Sequence, residues 1–517
     1  MTQAGDADGV LVLGNQLTTQ VGPLADRDAD VPVVMVESKA AGRRVPYHPH
    51  RLALVYSAMR HFRERLVSRG YDVHYIKADT MKAGLSKVFT TTDVDSLVTM
   101  SPPKHGDKAE LADAADAAGG ELSFVTNEQF IISPSLFDEW MDDPPYRHET
   151  FYRKVREHTG YLMDDGNPVG GEWNYDDENQ KTPPKGYQPS KPPTYEPDEI
   201  TNDVLEMIDA EFDGSYEAPP YGGNWADPEP FHWPVTREQA LDALDTFIET
   251  RLSDFGPYQD AMVQDEPLMN HSLLSPLLHL GLLQPEEVTE RAINAYHNDD
   301  DVPLNSVEGF IRQIIGWREF VRHIYRRTMP ELVTENQLQA TRPLPDSFWT
   351  GETDMECLAD VVEGVRKRGY AHHIERLMIV ANFATLAGIN PAALNRWFEA
   401  GFVDGFHWAS TPNVVGMGTY GSGVMSTKPY VSSANYVNKM SDYCSDCKYD
   451  KDATTGINAC PFNTLYWNFL AEHEDRLRSN HRMGLVYSHL DRKSDEEITE
   501  IQSQANEYLE QLDNSAL

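Results

Sequence analysis

Cysteine is nearly absent from this chain: 517 residues contain four, Cys357, Cys444, Cys447 and Cys460. So few thiols, with no sign of export, argue against a disulfide-stapled scaffold. Long apolar runs are missing as well. No stretch of eighteen apolar residues occurs, so no transmembrane helix is expected. The segment Met1–Gly9 is polar and acidic, unlike a signal peptide, and a cytoplasmic protein with reduced thiols is expected. Basic residues are scarce: 44 Lys and Arg face 82 Asp and Glu, for a net charge of −38. The excess of acid is dispersed rather than gathered in a tail, as on the solvated surface of a halophile's protein. It excludes a broadly basic nucleic-acid binder but leaves room for a local basic groove. In strong salt such a groove gains little from counterion release, so binding would depend on stacking, shape and insertion. No internal repeat is visible.

What cysteine there is, is concentrated. Cys444, Cys447 and Cys460-Pro461 fall within one short stretch, and Cys357 lies upstream in a segment that reads as a helix. Four thiolates suit a soft tetrahedral ion or an iron–sulfur cluster. Cys₄ zinc and a [4Fe–4S] cluster followed by proline both answer to this spacing, with two disulfides as a third option.

The length allows two to four domains. The apolar runs Val10–Leu13, Val31–Val36, Val73–Ile76, Ser96–Thr99 and Leu122–Val125 read as buried parallel strands. Between Pro49 and Gly70, Leu52, Val55, Met59, Phe62 and Leu66 fall at helical spacing, and Glu110–Ala118 is a second helix. Alternating strands and helices predict a doubly wound α/β domain over 1–130. Ligands of such sheets sit at the carboxyl ends of strands, which singles out Gln16 and Glu37. Residues 131–230 read as an extended connector, with breaker clusters at 182–197 and at 218–223. From 231 to 517 helical patterns dominate, at Arg237–Asp254, Pro285–Asn298, Ser306–Tyr325, Thr353–Arg368, His372–Leu386 and Ala392–Ala400. An all-helical domain of that size can enclose a cofactor.

Several segments of the helical half carry chemistry. Ser272 and Ser275 sit at a turn before a helix, a place that suits a phosphate or a simple cap. Arg312, Arg318, Arg322, Arg326 and Arg327 crowd one helix; they could face a phosphate backbone or form internal salt bridges. Arg366–Arg368 is a second basic cluster, followed by His372 and His373, side chains able to hold or give a proton near neutrality. Adjacent helical residues point about 100° apart, so one of the two reaches a given substrate atom.

Taken in order, these motifs resemble the iron–sulfur bacterial cryptochromes and photolyases, the prokaryotic (6-4) photolyases and related blue-light photoreceptors. The stretches that carry the resemblance are Leu13–Leu17, Ser57–Phe62, Phe151–Met163, Pro168–Trp173, Phe255–Asp260, His271–Pro276, Gly309–Phe320, Gly369–Arg376 and the four cysteines. The resemblance implies an α/β antenna domain, a long linker and a helical catalytic domain holding FAD. It implies a [4Fe–4S] cluster on Cys357, Cys444, Cys447 and Cys460, and a 6,7-dimethyl-8-ribityllumazine antenna near Gln16 and Glu37. Ser272, Leu273 and Ser275 look like flavin-phosphate contacts. Arg312, Trp317, Arg318 and Glu319 look like the cavity wall, and Asp404 and Asn413 like polar contacts to the flavin ring. Trp397 and Trp349 resemble the electron-passing aromatics. His372, His373 and Tyr430 fall at the lesion pocket.

The implied reaction is light-driven repair of a flipped-out (6-4) photoproduct in UV-damaged DNA by a monomer. Reduced FAD gives the electron, and a histidine kept protonated by its site gives the proton. A signalling cryptochrome with the same cofactors is the alternative within the family, and a large-primase-like DNA-binding module the alternative outside it. Two departures from the family pattern stand out: Asn15 where Asp is usual, and Phe398 where many relatives carry tyrosine beside the relay tryptophan.

Overall fold

The computed structural model describes residues 7–25, 27–212 and 225–514. Five strands, β1 (Gly9–Leu11), β2 (Val33–Ser38), β3 (Val73–Ala78), β4 (Ser96–Met100) and β5 (Glu121–Val125), form one parallel sheet in the order β3-β2-β1-β4-β5. Each strand lies where the apolar runs place it. Val33, Val34 and Met35 are fully buried, as expected for a sheet covered on both faces. The helix Pro49–Ser68 packs against one face and Met81–Thr91, which the sequence pattern did not single out, against β2 and β3.

The strand order reverses between β1 and β4, the usual ligand crevice of such a sheet. Here it is filled from within. Gln16 is buried, donates from Nε2 to the Met100 carbonyl at 2.8 Å and accepts from Thr99 Oγ1 at 3.0 Å. The helical half closes over it: Leu17 N donates to the Leu280 carbonyl at 2.8 Å, and Gln284 Nε2 donates to Thr18 Oγ1 at 3.1 Å. Gly281 makes that approach possible. Its φ is +83°, and a Cβ there would lie 2.5 Å from Gln129 Nε2 and 3.2 Å from Leu17 N. A side chain would therefore need both a strained backbone and a displaced neighbour.

The stretch read as an extended connector carries more helix than expected, at Pro134–Trp140, His148–Thr159 and Glu199–Phe212. The last packs on Pro49–Ser68 through Val204, Ile208 and Phe212, apolar positions at helical spacing that the reading passed over. The breaker cluster at 218–223 lies outside the described residues. One continuous apolar core runs from Val10 and Val33 in the sheet to Phe247, Leu280 and Ile311 among the helices. Among the described residues, no helix is long and apolar enough to cross a membrane.

Most helices of the second half match the periodicity, Pro285–Asn298 to the residue. Three stretches do not wind as ordinary α-helix. Arg312–Arg318, Glu375–Ala381 and Pro412–Gly418 are π-helical, set in line with α-helical turns. Such widened turns are rare and concentrate at functional sites. All three border one cavity.

Candidate active site

That cavity measures about 300 Å3, and the space between its walls, mouth included, comes to about 1510 Å3. The widened turns supply Gln313, Trp317 and Arg318 from the first, Arg376 and Leu377 from the second, and Asn413, Val414 and Met417 from the third. A π-turn advances the side-chain register by one residue, which lets neighbouring polar groups share a face that a regular helix would split. Opposite them stands the turn Ser272–Ser275, where Leu273 takes φ +59°.

Polar groups converge in pairs. Asp404 accepts from Arg376 Nη1 at 2.9 Å, Nη2 at 3.2 Å and Ser275 Oγ at 2.6 Å. Burial raises the Asp404 pKa, but Arg376 and Ser275 outweigh it and hold the carboxylate below its usual range. Trp317 Nε1 donates to Asn413 Oδ1 at 2.8 Å, and Asn413 Nδ2 donates to the Ala409 carbonyl at 2.8 Å. Arg318 lies over the Phe130 ring at 4.4 Å and is paired with buried Glu319 at 2.7 Å. Asp260, enclosed near Asp176, is pushed up to about 6 by burial.

The sequence candidates divide by position. Ser272, Leu273, Ser275, Trp317, Arg318, His373, Asp404 and Asn413 line the cavity. Arg312 and Glu319 stand behind it: Arg312 pairs with Asp176 and with Glu308 at 3.2 Å, and Glu319 accepts from Ile132 N at 3.0 Å. Of the two arrangements open for the arginine-rich helix, internal pairing describes Arg312, Arg318, Arg326 and Arg327, the last two both held by Asp138. Gln259, Asp260, His271, Tyr370 and Arg376 line the cavity without having been singled out. Arg376 could have been found: it is the one cation of a motif the reading had already marked.

The adjacent histidines are separated as helical geometry requires. His373 projects into the cavity, and its ring is accessible to whatever fills it. His372 is fully buried behind His271, their rings stacked at 4.7 Å. Its Nε2 lies 3.3 Å from Glu375 Oε1 without hydrogen-bonding alignment, and neither ring nitrogen has a partner. Enclosure, and secondarily Arg376, lowers the His373 pKa to about 4; enclosure and the neighbouring histidines lower that of His372 further. Burial raises Glu375 to about 8. Both histidine shifts run against the expectation of a histidine kept protonated by its own site. Tyr430 is 40% exposed on the loop before Ala434 and does not line the cavity.

Aromatic rings lead from the cavity toward the surface. Phe398 forms part of the wall, and Trp397, fully buried, meets it edge-on at 5.4 Å. Trp225 and Trp397 flank Gly401, each within 4 Å of where a Cβ would sit. Trp225 in turn meets half-buried Trp349 at 5.0 Å.

The four cysteines line one smaller cavity, together with Tyr443, Tyr449 and Phe462. All are free thiols, so the disulfide option is not realised. Cys357 is not remote from the others: after burial, the charges of Cys460, Cys444 and Cys447 are what most raise its pKa. Among the described residues no group of three or more His, Cys, Asp or Glu is arranged to grip a metal ion.

Glu37 opens on a third hollow of about 690 Å3 at the ends of β2 and β3, roofed by Asp203, Glu206 and Met207. Arg60 grips the carboxylate at 2.8 and 2.9 Å and the Tyr75 hydroxyl donates to it. Burial raises the Glu37 pKa, but these partners hold it below its usual range. Gln16 does not reach this hollow.

The chain is similar to known proteins along its length. The family model for deoxyribodipyrimidine photo-lyase-related protein matches residues 10–218. Over 514 residues the chain is 40% identical to the (6-4) photolyase of Agrobacterium fabrum, covering 98% of this chain and 99% of that protein. Among solved structures, a bacterial class III photolyase from Agrobacterium tumefaciens superposes with a TM-score of 0.60 at 19% identity, covering 99% of both chains. A Synechocystis cryptochrome does so with 0.54 at 15% identity, over 79% of this chain and 82% of that one. Full-length identity at this level places the chain in the deoxyribodipyrimidine photolyase-related family.

Proposed function

We propose that the protein repairs (6-4) pyrimidine–pyrimidone photoproducts in DNA under light. The observation that carries this reading is the cavity where Ser275, Arg376, Asp404, Asn413 and His373 meet, in a chain alike over its full length to a (6-4) photolyase. The cavity suits FAD. Its enclosed space admits a dinucleotide, Arg376 and Arg318 offer cationic donors, and His279 Nδ1 and Arg318 Nε are buried without partners. Ser272, Leu273 and Ser275 would hold the phosphates, and Asn413, fixed by Trp317, would present its amide to the ring system. Bound and reduced, the flavin supplies a photoexcited one-electron donor. The chain's own part is to exclude water, fix that donor, and bring a proton to the lesion. His373 reaches the cavity and is the candidate donor; His372, walled off behind His271, supports it.

His373 meets two opposing influences. Enclosure and Arg376 favour the neutral ring. A phosphate brought in by a flipped-out nucleotide favours the protonated one. The proton is therefore taken up on substrate binding rather than held beforehand. A blue-light receptor without repair is the second reading, and the lowered pKa of both histidines is what favours it.

The four cysteines that line one cavity would hold the [4Fe–4S] cluster that the resemblance implies. The Glu37 hollow would take the lumazine antenna. Trp397, Trp225 and Trp349 form a line along which electrons could reach the cavity.

The purified protein is expected to show flavin absorption and about four irons and four sulfides per chain, the composition of one such cluster. Illuminated with an oligonucleotide carrying one (6-4) lesion, it is expected to restore the parent pyrimidines. A flavin-loaded protein that leaves the lesion intact would hand the site to the receptor reading.

A further inference from the structure

A separate cavity of about 410 Å3 lies on the far side of the Ser272–Leu273 turn, with only those two residues shared with the flavin cavity. Three parts of the chain build it. His50 comes from the helix Pro49–Ser68, Tyr195 from the connector, and Trp233, Arg251, Leu268 and Arg368 from the helical half. Its volume falls within the range of small-molecule sites.

The charge of its walls is anomalous for this protein. In a chain with 38 more acids than bases, Arg251 is 1% exposed and has no carboxylate partner among the described residues. Its Nη1 donates to the His271 carbonyl at 2.6 Å, its guanidinium lies 5.5 Å from the centre of the Phe247 ring, and its Nε is buried without a partner. Burial draws its pKa down to about 10. A buried, unpaired charge is costly, and most such charges in folded proteins meet a counter-ion. Arg368, half-buried, has no ion pair among the described residues and its Nε is buried and unsatisfied, although Glu375, Asp360 and Glu363 are near enough to act on its charge. His50 Nδ1 and His232 Nδ1, which also belong to the lining, are buried without hydrogen bonds. Lys367 is held by Glu363, and the two carboxylates of the lining, Asp227 and Glu229, pair with neither arginine. The rest of the wall is flat and apolar, made by Pro192, Pro193, Tyr195, Trp233 and Leu268.

We propose that this cavity binds a small planar aromatic anion, a ring system carrying one carboxylate, sulfonate or phosphate, as a ligand distinct from the flavin. Arg251 and Arg368 take the anionic group, and Trp233, Tyr195 and the two prolines take the ring. Both demands are met at once: unpaired guanidinium hydrogens find acceptors, and an apolar slot loses its water.

The test uses flavin-loaded, full-length protein and 8-anilinonaphthalene-1-sulfonate as the probe. One equivalent is expected to bind with a rise in probe fluorescence and quenching of tryptophan emission, and with no release of flavin. The uncharged analogue N-phenyl-1-naphthylamine is expected to bind at least tenfold more weakly. Arg368→Gln, at a half-buried position without an ion pair, is expected to weaken the sulfonate probe about fivefold or more and leave the uncharged analogue within twofold. Arg251→Met should do the same more strongly; where that variant does not fold, Arg368→Gln decides alone. Equal binding of charged and uncharged probes, indifference to Arg368→Gln, or displacement of the flavin would each overturn the assignment.

Discussion

The two large hollows that this fold class makes room for could hardly be finished more differently. At the carboxyl ends of the strands, polar residues are paired off with one another: Glu37 with Arg60 and Tyr75, Gln16 with Met100 and Thr99. In the helical half, polar side chains enter a cavity and some are left without partners, as with Arg318 Nε on a π-helical turn and His279 Nδ1 on the helix Ser275–Leu280. The carboxylate of the first hollow already has protein partners, whereas the second leaves polar atoms without any. Unsatisfied buried polar atoms are thus a better guide to the reaction site than the topological rule for open sheets.

That contrast can be broken, starting where the effect should be greatest. His373→Gln should lower the repair rate by roughly 10²–10⁴-fold, the usual worth of a positioned general acid. Flavin content should stay the same, and single-turnover illumination of a lesion-bearing oligonucleotide reads the rate. The pH profile of the wild type should show repair falling as pH rises through the pKa that His373 acquires with DNA bound, above its free value near 4. Arg376→Leu leaves the Asp404 carboxylate buried and unpaired, which should destabilise the protein by roughly 3–5 kcal/mol. It should also empty the cavity of flavin, measured as the absorbance ratio of flavin to protein alongside a denaturant melt.

By contrast, Glu37→Gln should abolish antenna absorption yet leave repair under direct flavin excitation within about twofold. Equal damage from Glu37→Gln and Arg376→Leu would erase the distinction between the hollows.

A quieter effect concerns acid. His48, His50, His323 and His372 are all at most 2% exposed, and burial lowers each of their pKa values, to about 4 for His50 and about 3 for His323. A folded-state pKa below the unfolded value means stability present above about 6.5 and lost as pH falls toward the folded values. Each should cost about 1 kcal/mol per pH unit below 6.5. Denaturant melts at pH 7.5 and 5.5 in molar salt, where repulsion among the surface carboxylates is screened, would register the loss. The smallest change is Phe398→Tyr, which adds an oxidisable ring at the cavity wall and should speed flavin photoreduction without altering flavin content.

How legible was this in the sequence? The sheet could be read almost strand for strand, because doubly covered strands must be continuously apolar and Val33–Val36 leaves no other interpretation. The cavity could be read only in fragments. Ser275 and Asp404 are 129 positions apart and Arg376 and Asp404 are 28, so no local pattern announces that they share hydrogen bonds. The π-helical turns carry no periodicity of their own, since one extra residue per turn disappears inside a long helix. For the arginines of 312–327 the sequence leaves a phosphate-facing surface and internal salt bridges equally open, because it does not reveal that Asp138, Asp176, Glu308 and Glu319 come to meet them. Of the two adjacent histidines, geometry alone shows that one faces the cavity and the other a stacked neighbour.

Gly281 has one more role to play. Leu280 is hydrogen-bonded to Leu17 where no side chain could stand, one of several bonds that join the sheet to the helical half, with Gln284 to Thr18 and Arg51 to the Glu399 and Gly405 carbonyls among the others. Anything held beside Glu37 and anything held beside Asn413 keep a constant separation and a constant mutual tilt. A residue that lines neither hollow thus helps to fix the geometry between them.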